Sequence, residues 1–195
     1  MNIKKLLPEL IEKINKHHEL YRFPVKAELW EDIFDQVING SHSNWVGGGH
    51  SSGADVISEG NIKIQFQNKS GDINYRTNII KWNGHRTTKF KTLSDKLDFI
   101  SEYHCDKYVM LGRNKKEWDK GIKKYNLIMF DSEKIDYKKL NWTEKYSKTG
   151  ELSGWKGENN NLPYSATINK KMSDQLWTEC DMNYLGKIYD FVIGN

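Results

Sequence analysis

The 195-residue sequence predicts an α/β fold, a mixed β-sheet flanked by helices. Three observations predict it. Two amphipathic helical stretches open the chain, strand-like runs follow, and a further helical stretch separates those runs. Segments in that order close as a sheet with helices on its faces.

Leu6, Leu7, Leu10, Ile11 and Ile14 recur at helical spacing, which predicts a first helix ending near His18. Pro24 interrupts. A second helix is predicted over 25–38, with Leu29, Trp30, Ile33, Phe34 and Val37 as its buried stripe and Asn39-Gly40 as its stop. The stretch 40–53, GSHSNWVGGGHSSG, is rich in Gly and Ser. Two strands are predicted next: a short one over 54–58, a turn at 59–61, and a run over 62–70 that alternates with a period of two. Residues 80–82 and 85–88 flank Asn83-Gly84, the dipeptide best suited to a type I′ hairpin turn.

Thr92 reads as the N-cap of a helix to about residue 104. Residues 107–111 and 126–130 are apolar enough for interior strands. Residues 141–162, polar and rich in Gly, Asn and Trp, read as a long loop, and 172–193 as helical with Ser173 as cap.

Charge and composition bound the function. The net charge is +4 with 37% hydrophobic and 29% charged residues, which describes a soluble globular chain. Such a mild basic excess permits a nucleic-acid partner without requiring one. Seven Trp and ten Tyr are a heavy aromatic load, for which packing is the default explanation. Trp142, Trp155 and Trp177 are candidates for a binding surface or dimer contact, with Trp177 assigned to the core. Cys105 and Cys180 lack zinc spacing, no apolar run reaches the roughly 20 residues of a membrane span, and the N-terminal stretch has no signal-peptide pattern. The expected location is cytoplasmic, with no membrane partner.

The chemistry concentrates in Ala54-Asp55-Val56 and Ile62-Lys63-Ile64-Gln65-Phe66-Gln67-Asn68-Lys69-Ser70. The alternation puts Gln67 and Lys69 on one side of the sheet, and a tight turn at 59–61 folds Asp55 back toward them. An acid, an oxygen ligand and an ammonium that converge in this way suit phosphodiester hydrolysis. The oxygens hold Mg²⁺ and the lysine acts on the attacking water and the phosphate.

These residues resemble the PD-(D/E)XK nuclease superfamily and, within it, the type II restriction endonucleases. Asp55 matches the first acid of that pattern, and Gln67-Asn68-Lys69 matches the acid-x-Lys element with Gln in place of the acid. The neutral amide removes one negative charge from the metal site, and Ala54 stands where the pattern has proline. The resemblance covers about 25–130 and implies a restriction-endonuclease-like core. It also implies Mg²⁺, sequence-specific cleavage of double-stranded DNA with 5′-phosphate products, a homodimer and a cognate DNA methyltransferase. A helix before the motif often adds a Glu to such sites; Glu31 fits that position better than Glu28. On this reading 1–195 is one nuclease domain, with an N-terminal helix over 1–24, a catalytic core over 25–130, and a tail for DNA recognition and dimerisation over 131–195.

The expected DNA contacts fall into two groups. Arg76, Lys81, Asn83, His85, Arg86 and Lys89 belong to an acid-free run read as a backbone-contacting hairpin. Ser165, Thr167, Asn169 and Lys170 are suitable donors to base edges. A solvated hairpin and a surface strand are the ordinary alternatives for these segments. Alternatives for the whole chain are a structure-specific repair or recombination nuclease, and an inactive DNA-binding module on the same fold. Gly49-His50-Ser51-Ser52-Gly53 spells a nucleophile elbow, but a glycine run precedes it and a strand follows, which is the wrong context.

Overall fold

The computed structural model describes residues 3–40, 54–58, 63–102 and 105–193. The glycine-rich stretch from 41 to 53, with His42, His50 and the Gly-x-Ser-x-Gly run, and the turn at 59–61 lie outside the described residues.

Two helices open the fold, α1 (Ile3–Leu20) and α2 (Ala27–Asn39). The predicted stop holds: Gly40 adopts a left-handed conformation and its N–H donates to the Gln36 carbonyl at 2.9 Å. The strands that follow are β1 (Val56–Ile57), β2 (Gln65–Asn74) and β3 (Ile79–Arg86). Then come α3 (Leu93–Glu102), β4 (Lys107–Arg113), the one-turn helix α4 (Lys115–Trp118) and β5 (Lys124–Asp131). The chain continues through β6 (Asn141–Tyr146), β7 (Leu152–Glu158), β8 (Tyr164–Asn169), β9 (Gln175–Asp181), α5 (Met182–Leu185) and β10 (Ile188–Val192).

All the strands join one ten-stranded mixed sheet in the order β10-β5-β4-β2-β3-β9-β8-β7-β6, with β1 pairing β2. Among the described strands, only β2 and β4 pair in parallel, and α3 lies in the crossover between them. The architecture is therefore mixed α/β with helices on both faces, as composition and periodicity predict.

Each face has its own core. On one, α1 and α2 bury Leu10, Ile14, Trp30 and Phe34 against Phe66, Val109, Leu111 and Leu127. Trp30 donates its indole N–H to the Val109 carbonyl at 3.1 Å, and Phe34 meets Phe66 edge to face. On the other face, α3 and α5 cover Ile80, Trp82, Met110, Phe130, Trp155, Ile168 and Leu176. Thr92 caps α3 as predicted, accepting from Asp95 N–H at 3.1 Å.

The α1–α2 face has a second half that none of the described helices covers. Cross-strand register carries the face of Phe66 through Asp72 to Lys81, then to Glu179 and Ser165. Asn83, Trp177 and Thr167 follow on the same side. These side chains are exposed or half-buried, so the uncovered half is a polar surface with Trp177 in it.

Three predicted elements are corrected. Residues 79–86 form one strand, and the reversal comes earlier, at 75–78, where Asn78 has φ 55°. Asn83-Gly84 instead sits at a bulge opposite β9, where Gly84 lets the strand approach Leu176. The expected loop at 141–162 contains the β6–β7 hairpin, and most of the expected helix at 172–193 is β9 and β10. Ser173 opens no helix; it is the left-handed C-cap, φ 57°, of the 3-10 turn Lys170–Met172 before β9. Trp155 is 6% exposed within the core, whereas Trp177, assigned there by sequence, faces the uncovered surface.

Candidate active site at the open edge of β2

β2 is paired on one edge by β4 along its length, but its other edge is shared. β1 takes Gln65 and Phe66, and β3 takes Gly71 to Asn74. Between them, residues 67–70 face a gap among the described strands. A strand edge with unpaired N–H groups needs acceptors. Asp55, just before β1, supplies one: its Oδ2 accepts from Asn68 N–H at 2.7 Å.

The same oxygen accepts from Lys69 Nζ at 3.1 Å. Their side chains are 22% and 14% exposed, so the pair is shielded yet open to solvent on one side. Gln67 shares the Lys69 face of β2 and is buried, with no hydrogen bond to its amide among the described residues. Asp55 and Lys69 are thus in contact, and Gln67 lies on the Lys69 face of β2 two residues before it.

α2 supplies the fourth residue. Its end is held to β1 by Asn39, whose amide donates to the Ile57 carbonyl at 3.0 Å and to Asp35 at 2.7 Å. Held in this way, α2 carries Glu31 within electrostatic reach of Asp55 and Lys69. Burial, then the negative charge of Asp55, pushes the Glu31 carboxyl up to about 7, and Lys69 opposes the rise. Glu28 is exposed on the same helix, so Glu31 is the acid that belongs to this cluster.

Cys105 borders the site. Burial and then Asp55 push its thiol up to about 11, which keeps it protonated and unreactive. Asn68 escaped the sequence reading, where it is only the residue between Gln67 and Lys69. Its backbone N–H anchors Asp55, and its fully buried amide has no partner for Oδ1 or Nδ2 among the described residues. No sequence pattern marks that role, which belongs to the backbone.

The predicted DNA contacts do not form one group. Lys81, Asn83, Ser165, Thr167 and Asn169 share the uncovered face, where Lys81 lies over the Trp177 ring at 5.8 Å and pairs with Glu179 at 2.6 Å. Arg76 is exposed in the β2–β3 turn and Lys170 in the turn after β8. Arg86 and His85 are drawn elsewhere, Arg86 to Gln175 at 3.2 Å and His85 to the Phe99 ring, while Lys89 is exposed beyond β3.

Among the described residues, no group of three or more His, Cys, Asp or Glu could hold a metal ion, and no helix is long and apolar enough to cross a membrane. No family model matches the chain, and no curated protein or solved structure matches it either.

Proposed function

We propose that the chain is a magnesium-dependent type II restriction endonuclease that hydrolyses double-stranded DNA on a restriction-endonuclease-like core. The observation that carries this reading is the convergence of Asp55, Lys69 and Glu31 at the gap in the β2 edge, with two carboxylates close enough for one to raise the other. That mutual repulsion is the condition a divalent cation relieves, so the donor set fits Mg²⁺: Asp55 and Glu31 carboxylates with the Gln67 amide oxygen. When bound there, the ion supplies positive charge against the scissile phosphate.

The residues of the chain divide the rest. Asn68 N–H and Lys69 fix one oxygen of Asp55, and its Oδ1 accepts no hydrogen bond among the described residues. Lys69 uses one of its three donors on Asp55, leaving others to orient the attacking water and offset charge on the pentacovalent phosphorus. The water oxygen adds to phosphorus as the bond to O3′ breaks, and O3′ takes up a proton. The products are a 5′-phosphate and a 3′-hydroxyl. Gln67 and Lys69 project from the face of β2 opposite the polar half beside α2, so duplex DNA would approach the cluster at the gap in the β2 edge. A homodimer on a two-fold symmetric site completes the proposal.

Incubation of plasmid DNA with the protein and Mg²⁺ tests it, with sequencing of the product ends. Discrete fragments with one common end sequence support the proposal. Intact DNA despite binding in Ca²⁺ would leave the inactive binding module, and cuts at flaps or junctions alone would leave the repair nuclease.

A further inference from the structure

We propose that the β6–β7 hairpin and the end of β8 form a second DNA contact, a clamp for backbone phosphates remote from the catalytic centre. The proposal rests on the nuclease reading and adds a site to it. A groove of about 470 Å³ opens between the hairpin tip and the turn after β8. Lys145, Lys148 and Lys171 rim it, Thr167 and Asn169 stand in its wall, and its lining includes no carboxylate.

The three lysines are exposed and form no ion pair among the described residues, unlike Lys81 and Lys156 on the neighbouring surface, which pair with Glu179 and Glu158. Of the acids in the hairpin, Glu144 accepts from Tyr146 OH and Glu151 is exposed in the turn. A concavity with unpaired cations and neutral donors, free of acid, selects an anion by charge complementarity.

The groove is also built rather than loose. Ser147 N–H donates to Glu151 O at 2.7 Å, and Ser147 Oγ accepts from the N–H groups of Thr149 and Glu151, which holds Lys148 at the tip. Ser153 Oγ donates to the Lys145 carbonyl at 3.0 Å across the hairpin. Asn169 accepts from Lys171 N–H at 3.1 Å through Oδ1, which leaves its Nδ2 as a donor. Beside the groove in β7, Gly154 has φ 149°, and a Cβ there would collide with the Ile168 carbonyl, so only glycine lets β7 reach β8 this closely.

Charge and the nuclease reading together identify the anion as the phosphate backbone of duplex DNA. Thr167 and Asn169 lie on the polar sheet face that adjoins α2, and β8 stands three strands from β2 in the sheet order. Gln67 and Lys69 project from the other face of β2, so the groove is a contact separate from the catalytic cluster.

The test is a salt titration of duplex binding in Ca²⁺ with the full chain. In the triple variant Lys145→Gln, Lys148→Gln, Lys171→Gln, the slope of log K against log[KCl] should fall by about 2–3, since each lost phosphate contact removes about 0.9. Affinity at 0.1 M salt should fall at least tenfold or so. Lys148→Gln alone should lower the slope by about 0.9, should the triple variant fold poorly. Lys138→Gln, on the opposite face, should leave it unchanged. A wild-type slope in both groove variants overturns the clamp and leaves the nuclease reading standing, whereas absence of DNA binding by the wild type overturns both. Displacement of DNA by inorganic phosphate at constant ionic strength, lost in the triple variant, would overturn it in favour of a small-anion site.

Discussion

Two lysine–aspartate pairs in this molecule have the same chemistry and opposite meanings. Lys96 meets Asp174 at 2.7 Å and also donates to the carbonyls of Thr87 at 2.7 Å and Phe90 at 2.5 Å. Its side chain is 1% exposed, and all three of its donors are used. Lys69 meets Asp55 at 3.1 Å with one donor used among the described residues, beside a second carboxylate that burial and Asp55 push up to about 7. The Lys96 pair is complete and ties α3 to the turn before β9. The Lys69 pair is unfinished, with spare donors and spare charge, and that surplus is what the proposed function draws on.

The largest effect should therefore fall on activity at one pair and on stability at the other. Asp55→Ala and Lys69→Ala should each lower DNA cleavage by a factor on the order of 10³ or more, since each removes charge aimed at the phosphate. Duplex binding in Ca²⁺ should persist. Cleavage within tenfold of wild type in either variant would place the chemistry elsewhere. Lys96→Met should instead cost about 3 kcal/mol, because it leaves Asp174 and two carbonyls without their donor. Thermal unfolding should register that loss as roughly 6–12 °C in Tm. Cleavage per folded molecule should stay near wild type below that temperature. Equal losses of stability at Lys69 and Lys96 would erase the distinction between the two pairs.

The contrast also explains what the sequence could disclose. The Asp55–Lys69 pairing was legible because residues on adjoining strands leave a short spacing, whereas Glu31 was named from the family resemblance. The Lys96 pair was invisible: its partners are 78 and 9 residues away and follow no local pattern. The fold behaves likewise. The α1 and α2 stripes, the Thr92 cap and the interior strands β4 and β5 carry local signals. β9 alternates Leu176, Thr178 and Cys180 into the core, but its Glu and Asp obscure the pattern until β3 and β8 flank it. β6 and β7 bury Trp155, Gly154 and Gly157 where strands usually bury Val or Ile, so their composition reads as a loop. Asn83-Gly84 misled because a bulge needs the same backbone freedom as a hairpin turn.

Asn68 sharpens the comparison at smaller scale, since its buried amide has no partner among the described residues while its backbone does the anchoring. Asn68→Leu keeps the N–H and removes two unsatisfied polar atoms. Stability should rise by about 1 kcal/mol, read by urea denaturation. A fall instead would mean that ordered water satisfies the amide in solution.

The smallest effect concerns the surplus charge itself. Because the Glu31 carboxyl is raised to about 7 in the folded chain, the native state holds a proton that the unfolded chain has already released. Ionisation of Glu31 therefore costs no stability below the ordinary carboxylate range, and its cost grows as pH rises toward 7 and is fully present above it. In chelator, Glu31→Gln should remove that cost and raise Tm at pH 8, with little gain at pH 4. Solvent screens a half-buried carboxylate, so the rise should be about 2 °C. Mg²⁺ should raise the wild-type Tm at pH 8 more than that of the variant, because the cation relieves a repulsion the variant no longer has. An equal gain at both pH values would show that the glutamine merely packs better, and the Glu31–Asp55 repulsion would then carry no weight in the assignment.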